Sequence, residues 1–147
     1  MQVYIGSDHA GYHLKEELQT YLKELGYLVL DLGVFEDFQK ADYPDIAKEV
    51  AEKVAENEGS RGVLICGSGV GMSMAANKVK GVRAAQAYDV TVAKYSRLHN
   101  DANVVTLGER MTGVTVAKEI VDVFMNTEFE GGRHEGRVQK ITDIENE

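Results

Sequence analysis

The chain holds one cysteine, one proline and no tryptophan in 147 residues. A lone thiol forms no internal disulfide, which fits a reducing compartment, and the expected location is cytoplasmic. No apolar run approaches the roughly 20 residues that a membrane-spanning helix needs. The opening Met1-Gln2-Val3-Tyr4-Ile5-Gly6 carries neither a basic n-region nor a cleavage pattern, so no membrane contact is expected. Positive charge is scarce as well. With 16 basic against 24 acidic residues the net charge is −8, which argues against nucleic acid as a partner. Any anionic ligand must therefore be met by local positive groups. Hydrophobic residues make up 44%, too many for a disordered chain, and the length suits one domain, 1–147.

What is present is a regular alternation. Gln2–Gly6 reads as a strand, followed by a helix capped by Ser7 or Asp8 with Leu14, Leu18, Tyr21, Leu22 and Leu25 on one stripe. Tyr27–Leu32 is a second strand, and Gly33 to Asp42 is a polar loop. Pro44 suits the first turn of a helix that carries Ile46, Ala47, Val50, Ala51, Val54 and Ala55. Val63–Cys66 is a third strand, with a helix over Met72–Asn77. Val82–Ala87 is a fourth strand, and Asp89 opens a helix to about Leu98. Ala102–Leu107 is a fifth strand, and a helix with Val116, Ile120, Val121 and Phe124 on one face follows. The pattern predicts a glycine-rich loop at Gly131–Arg137 and a short helix at Val138–Ile141 before a frayed end. Strands alternating with helices imply an α/β fold, a parallel sheet covered on both faces. Ligands bind such sheets at the carboxyl ends of the strands, near a switch in strand order.

That rule singles out Cys66-Gly67-Ser68-Gly69-Val70-Gly71, where the third strand runs into a glycine turn. Backbone N–H groups of such a turn suit an anion and favour a thiolate over a thiol. Most lone intracellular cysteines are simply small buried hydrophobes; the position of Cys66 argues otherwise. Its thiolate can serve as base, nucleophile or phosphate acceptor. A phosphatase of the C-x5-R type needs arginine six residues after the cysteine, and Met72 stands there. Asp8-His9 follows the first strand and Glu109-Arg110 the fifth, at the same sheet edge. Asp8 doubles as a plain helix cap. His9 and His13 are spaced to share a metal, but no third ligand accompanies them, so no metal is expected. His99-Asn100 precedes a strand and lies at the opposite edge, so it reaches such a site only from a neighbouring subunit. Arg133 and Arg137, four apart among glycines, form either a solvated surface or a two-armed phosphate clamp.

These segments together resemble the ribose-5-phosphate isomerase B family, which includes the galactose-6-phosphate isomerase subunits. The resemblance rests on Gly6-Ser7-Asp8-His9-Ala10-Gly11, Ile65 to Gly71, His99-Asn100-Asp101-Ala102-Asn103, Gly108-Glu109-Arg110 and Arg133-His134-Glu135-Gly136-Arg137. It spans Met1 to about Ile141. It implies a three-layer Rossmann-like (flavodoxin-like) fold with a five-stranded parallel sheet. It further implies a homodimer or homotetramer with a shared active site, to which a C-terminal arm from about residue 127 contributes contacts.

The activity implied is the interconversion of ribose 5-phosphate and ribulose 5-phosphate, without metal or organic cofactor. In that resemblance Cys66 is the base and His99 opens the sugar ring, assisted by Asp8. The hydroxyl of Ser68 bonds the substrate. Amides from Gly67, Ser68, Gly69, Val70 and Gly71 hold the enediolate, and Asn100 holds sugar hydroxyls. His9, Arg110, Arg133 and Arg137 hold the phosphate. Serine at 68 departs from the threonine common in the family but keeps the hydroxyl. A six-carbon substrate, allose 6-phosphate or galactose 6-phosphate, and a non-catalytic phosphate-binding module are the competing expectations.

Overall fold

The computed structural model describes residues 1–147. Five strands form one parallel sheet: β1 Gln2–Ser7, β2 Leu28–Asp31, β3 Arg61–Cys66, β4 Ala84–Gln86 and β5 Val104–Gly108. Their spatial order is β2-β1-β3-β5-β4. The chain therefore leaves β1 for one edge, returns to place β3 on its other side, and inserts β5 last, between β3 and β4. The strands β1, β3 and β5 thus sit at the centre. Ser7 stands beside Ile65, and Cys66 beside Gly108, so the three central strands end level with one another.

Six helices cover the sheet: α1 Tyr12–Glu24, α2 Tyr43–Glu56, α3 Val70–Ala76, α4 Val90–Leu98, α5 Val114–Asn126 and α6 Arg133–Glu145. Alternate strand residues face opposite layers, as the pleat requires. Val3, Ile5, Val63, Ile65, Val105 and Leu107 meet Leu14 and Leu18 of α1, Ala93 of α4 and Ile120 and Phe124 of α5. Tyr4, Leu64, Cys66 and Val104 face the other way, onto Ile46, Val50 and Val54 of α2 and Met72 and Ala76 of α3. At roughly 1.5–3 kcal/mol for each fully buried large apolar side chain, these two layers supply the main driving force for folding. No helix is long and apolar enough to cross a membrane.

Several expected boundaries move. The third helix begins at Val70 rather than Met72, because Gly69 takes φ +84° and ends the turn there. Leu25 and Val116 are exposed rather than on the buried stripes of α1 and α5. The largest change is at the C-terminus. The expected loop at Gly131–Arg137 and short helix Val138–Ile141 are replaced by a 13-residue helix, α6. Gly131 and Gly132 alone make the turn, with φ of 72° and 57°. The helix then runs on because it has something to hold: Val138 and His134 are buried, and Glu145 accepts from Gly81 N–H at 3.1 Å.

Lys15 lies in α1 between buried leucines and is itself fully buried. Its ammonium bonds both carboxylate oxygens of Asp31, at 2.7 and 2.9 Å, and the carbonyl of Val34. A buried cation needs such partners. The pair fastens the start of the Gly33–Asp42 loop, which also bonds Ser7 through Gly33 O and Val34 N.

Candidate active site

The ends of β1, β3 and β5 border a cleft of about 660 Å³. Of the expected site residues, Asp8, His9, Cys66, Gly67, Ser68, Val70, Gly71 and Arg110 line it. Tyr43, Met74 and Met111 line it too, and sequence reasoning missed them. Gly71 leaves no room for a side chain: a Cβ there would sit 2.6 Å from the Tyr43 ring.

The turn after β3 is tightly tied. Gly69 N–H donates to Cys66 Sγ at 3.1 Å, and Val70 N–H to Ser68 Oγ at 3.2 Å. Thr106 of β5, buried beside the turn, donates to Gly69 O at 2.9 Å. By contrast, the amides of Gly67 and Ser68 donate to nothing within the chain. Two free N–H groups beside a thiol at the cleft form an arrangement suited to a developing oxyanion. Cys66 itself is 5% exposed: it lines the cleft while its side chain belongs to the apolar layer under α2 and α3.

Asp8 serves as a cap and lines the cleft at once. Its Oδ1 accepts from Ala10 and Gly11 N–H at 3.0 and 3.2 Å, while Oδ2 takes no partner in the chain. Glu109 spends its carboxylate elsewhere: Oε1 accepts from Leu14 N–H at 2.6 Å, in the first turn of α1. Arg110 is exposed at the cleft rim, its N–H bonded to Gly67 O at 3.0 Å. His13 leaves His9 and pairs with Asp37 at 2.7 Å, so the two histidines do not form a metal pair.

His99, Asn100, Arg133 and Arg137 lie outside this cleft. His99 ends α4 and stacks on His134 of α6, with ring centroids 4.2 Å apart and planes 14° from parallel. Tyr95 touches its other side at 4.8 Å. Glu130 stands 3.9 Å from Nε2 of both histidines. This cluster escaped sequence reasoning, because it joins α4 to the C-terminal arm. It has a metal-like composition, but nearly parallel rings send their in-plane lone pairs side by side rather than toward one point. Burial first, then His99 and Arg133, hold the His134 imidazole below its ordinary value of 6.5. Arg133 and Arg137 follow at helical spacing on α6, both exposed, so they form a fixed pair instead of two arms on a flexible loop.

A thiol with free amide donors, at a crevice between parallel strands, is the equipment of a proton-transfer enzyme. The chain belongs to the ribose/galactose isomerase family, whose model matches residues 3–141. It is 45% identical over 144 residues to ribose-5-phosphate isomerase B of Escherichia coli, covering 98% of this chain and 96% of that one. Solved structures agree. Ribose-5-phosphate isomerase B of Clostridium thermocellum superposes with a TM-score of 0.94 at 49% identity, over 99% of this chain and 98% of the other. The Mycoplasma genitalium enzyme, solved with bound ribulose 5-phosphate, gives 0.96 at 44%, over 99% and 97%.

Proposed function

We propose that this chain interconverts D-ribose 5-phosphate and D-ribulose 5-phosphate in the cytoplasm, by proton transfer through an enediolate. The observation that carries the proposal is Cys66 in the cleft lining beside the unpaired amides of Gly67 and Ser68. The thiolate of Cys66 takes the proton from C2 of the open aldose. The electron pair moves into a C1–C2 double bond, and negative charge builds on O1, where the amides of Gly67 and Ser68 receive it; contrary to expectation the N–H groups of Gly69 and Val70 are already spent, on Cys66 Sγ and Ser68 Oγ. The proton returns to C1, and the O2 proton passes to O1, which leaves the ketose. Ser68 Oγ already accepts from Val70 N–H, so its own proton is free to bond a sugar oxygen. Asp8 lines the same space, with Oδ2 free of partners in the chain, and assists ring opening. His9 and Arg110 hold the phosphate from this chain. The carbonyl of the sugar acidifies the C–H bond, so the reaction calls for no metal or cofactor.

The remaining groups come from a second copy. Val92 and Tyr95 of α4 are 43% and 44% exposed, and with His99 they follow at helical spacing on one face. Apolar residues rimmed by polar ones mark a contact surface. A second copy seated on that face brings His99 and Asn100 toward the cleft, where His99 donates to the ring oxygen. His134 and the Arg133–Arg137 pair travel with His99, because the two histidines stack. The segment from about residue 127 is then an inter-subunit arm, and the assembly is a homodimer or a pair of dimers. The test is an aldose–ketose assay of the purified chain on ribose 5-phosphate, allose 6-phosphate and galactose 6-phosphate. Highest kcat/KM on the five-carbon sugar is expected; a higher value on either hexose phosphate reassigns the substrate.

A further inference from the structure

Two side chains outside the cleft lining hold the catalytic turn in its working orientation. Gln86, at the end of β4, donates from Nε2 to Ser68 O at 3.0 Å. The Tyr88 hydroxyl donates to the same oxygen at 3.2 Å and accepts a second Nε2 hydrogen bond from Gln86. The Ser68–Gly69 peptide is trans, so its C=O and N–H point to opposite sides. With the carbonyl gripped on one side, the Gly69 N–H is aimed at the other, where it meets Cys66 Sγ at 3.1 Å. Gly108 packs closely on the Ser68 backbone and Ser73 N–H bonds Gly69 O, but Gln86 and Tyr88 supply the side-chain hydrogen bonds to the Ser68 carbonyl itself. Gly69 has no side chain to resist rotation, and its φ of +84° is a conformation glycine enters and leaves freely. A flip of this one peptide would replace the N–H by a carbonyl oxygen against the sulfur. That would turn a charge-assisted hydrogen bond to the thiolate into repulsion.

We propose that Gln86 and Tyr88 are positioning residues that lock the Ser68–Gly69 peptide, so that its amide steadies the Cys66 thiolate for proton abstraction. The proposal rests on the assignment of Cys66 as the base. Thr106, through its bond to Gly69 O, holds the next peptide in the same way. The arrangement gives a role to Gln86, the last residue of β4, and to Tyr88 just past it, although this three-residue edge strand lines none of the cleft.

The test compares Gln86→Ala, Tyr88→Phe, the double variant and Gln86→Glu with the unmodified protein. Two readouts are needed: isomerase kcat and KM on ribose 5-phosphate, and the rate of Cys66 alkylation by iodoacetamide at pH 7. Cys66 is the only cysteine, so a single adduct reports on it. Each single loss of a donor should lower kcat about three- to tenfold and the double about 30-fold, with KM changed less than about twofold. Alkylation should slow in parallel. Gln86→Glu keeps the shape but sets an acceptor against the Ser68 carbonyl, so it should lose at least as much as Gln86→Ala. A packing role would tolerate it. The proposal is overturned if Tyr88→Phe and Gln86→Glu, both folded by circular dichroism, alkylate and turn over like the unmodified protein. If the unmodified protein shows no turnover, the isomerase assignment fails, while the alkylation rates still decide whether the peptide is locked.

Discussion

The sheet carries a cleft at each end, and the two differ in what they have left to offer. At the carboxyl end the space is about 660 Å³; at the amino end, below β3, β4 and β5, it is about 570 Å³ and lined by Arg61, Arg83, Arg97, Asp101 and Asn103. By its three arginines alone the lower cleft, though smaller, is the better anion site. Its arginines, however, are tied into the fold. Arg97 donates to Thr127 O at 3.0 Å, Asp101 Oδ1 at 2.9 Å and Ala102 O at 2.6 Å. Arg83 bonds the carbonyl and carboxylate of Asp101. Arg61 holds Phe124 O at 3.0 Å, so it and Arg97 together cap the C-terminus of α5. Burial, with Arg97 close by, pushes the Arg61 guanidinium down to about 10. The upper cleft instead keeps two amides, one oxygen of Asp8 and the exposed Arg110 without partners in the chain. A thiol beside unpaired turn amides at one end, against arginines already bonded to carbonyls and a carboxylate at the other, separates the reactive end from the structural one.

The strongest test of that contrast acts at the upper cleft. Cys66→Ala should lower kcat by about 10³-fold while the melting transition barely moves. A near-normal kcat would remove the thiol from the mechanism. The same variant examines whether the site is shared. Mixed with a His99→Asn chain, it should regain about a quarter of the normal activity, because half the dimers are then mixed and each has one intact site. No regain after subunit exchange would place His99 outside the partner's site. Next in size, Arg133→Ala and Arg137→Ala should each raise KM about 10- to 100-fold with kcat nearly constant, as expected for lost charge-assisted bonds to phosphate. Unchanged KM in both would put the phosphate elsewhere.

The central frame was legible because its signals are local. β-branched runs ending in glycine turns, capped helices and the Cys66–Gly71 segment all declare themselves within a dozen residues. Asp89 caps α4 where the sequence places it, whereas Asp8 caps a 3-10 turn, His9–Gly11, that leads into α1, and α1 itself starts from Gly11 without a side-chain cap. What stayed hidden is held by partners distant in sequence. Lys15 reads as a solvated charge until Asp31, 16 residues on, is seen to bury with it. Gln86 lies within the expected fourth strand and Tyr88 just beyond it, and only the insertion of β5 between β3 and β4 gives the turn its support from that side. The length of α6 was hidden because its buried face, His134 and Val138, packs on elements formed much earlier in the chain.

At the lower cleft the expected effects reverse, with stability affected and turnover spared. Asp101 is the place to look, since it is the one carboxylate that both Arg83 and Arg97 bond. It also stands at φ 47°, a left-handed conformation in which alanine would add backbone strain of its own. Asp101→Asn avoids that confusion, because asparagine tolerates the conformation and keeps an acceptor oxygen. Loss of the charge should cost about 1–2 kcal/mol in urea unfolding, with kcat/KM unchanged. A fall in kcat/KM without a change in stability would mean that the lower cleft does more than hold the fold.

The smallest effect belongs to His134, which lies at neither cleft and ties α6 to α4. Its folded-state value is below the unfolded 6.5, so the folded protein resists the proton that the unfolded chain accepts. Stability from this source is complete above about pH 6.5 and declines as the pH falls through that value toward the lowered one. Four groups bear on the sign. His99 and Arg133, and more weakly Arg137, press His134 toward the neutral form, and Glu130 opposes them. His134→Phe keeps a flat ring against His99, removes an Nε2 that has no hydrogen-bond partner, and cannot titrate. The gap in melting temperature between pH 7.5 and pH 5.5 should therefore narrow in this variant, chiefly because its pH 5.5 value rises. An unchanged gap would show that the acid sensitivity of the fold arises elsewhere, and that the stacked histidines serve only to carry α6 alongside His99.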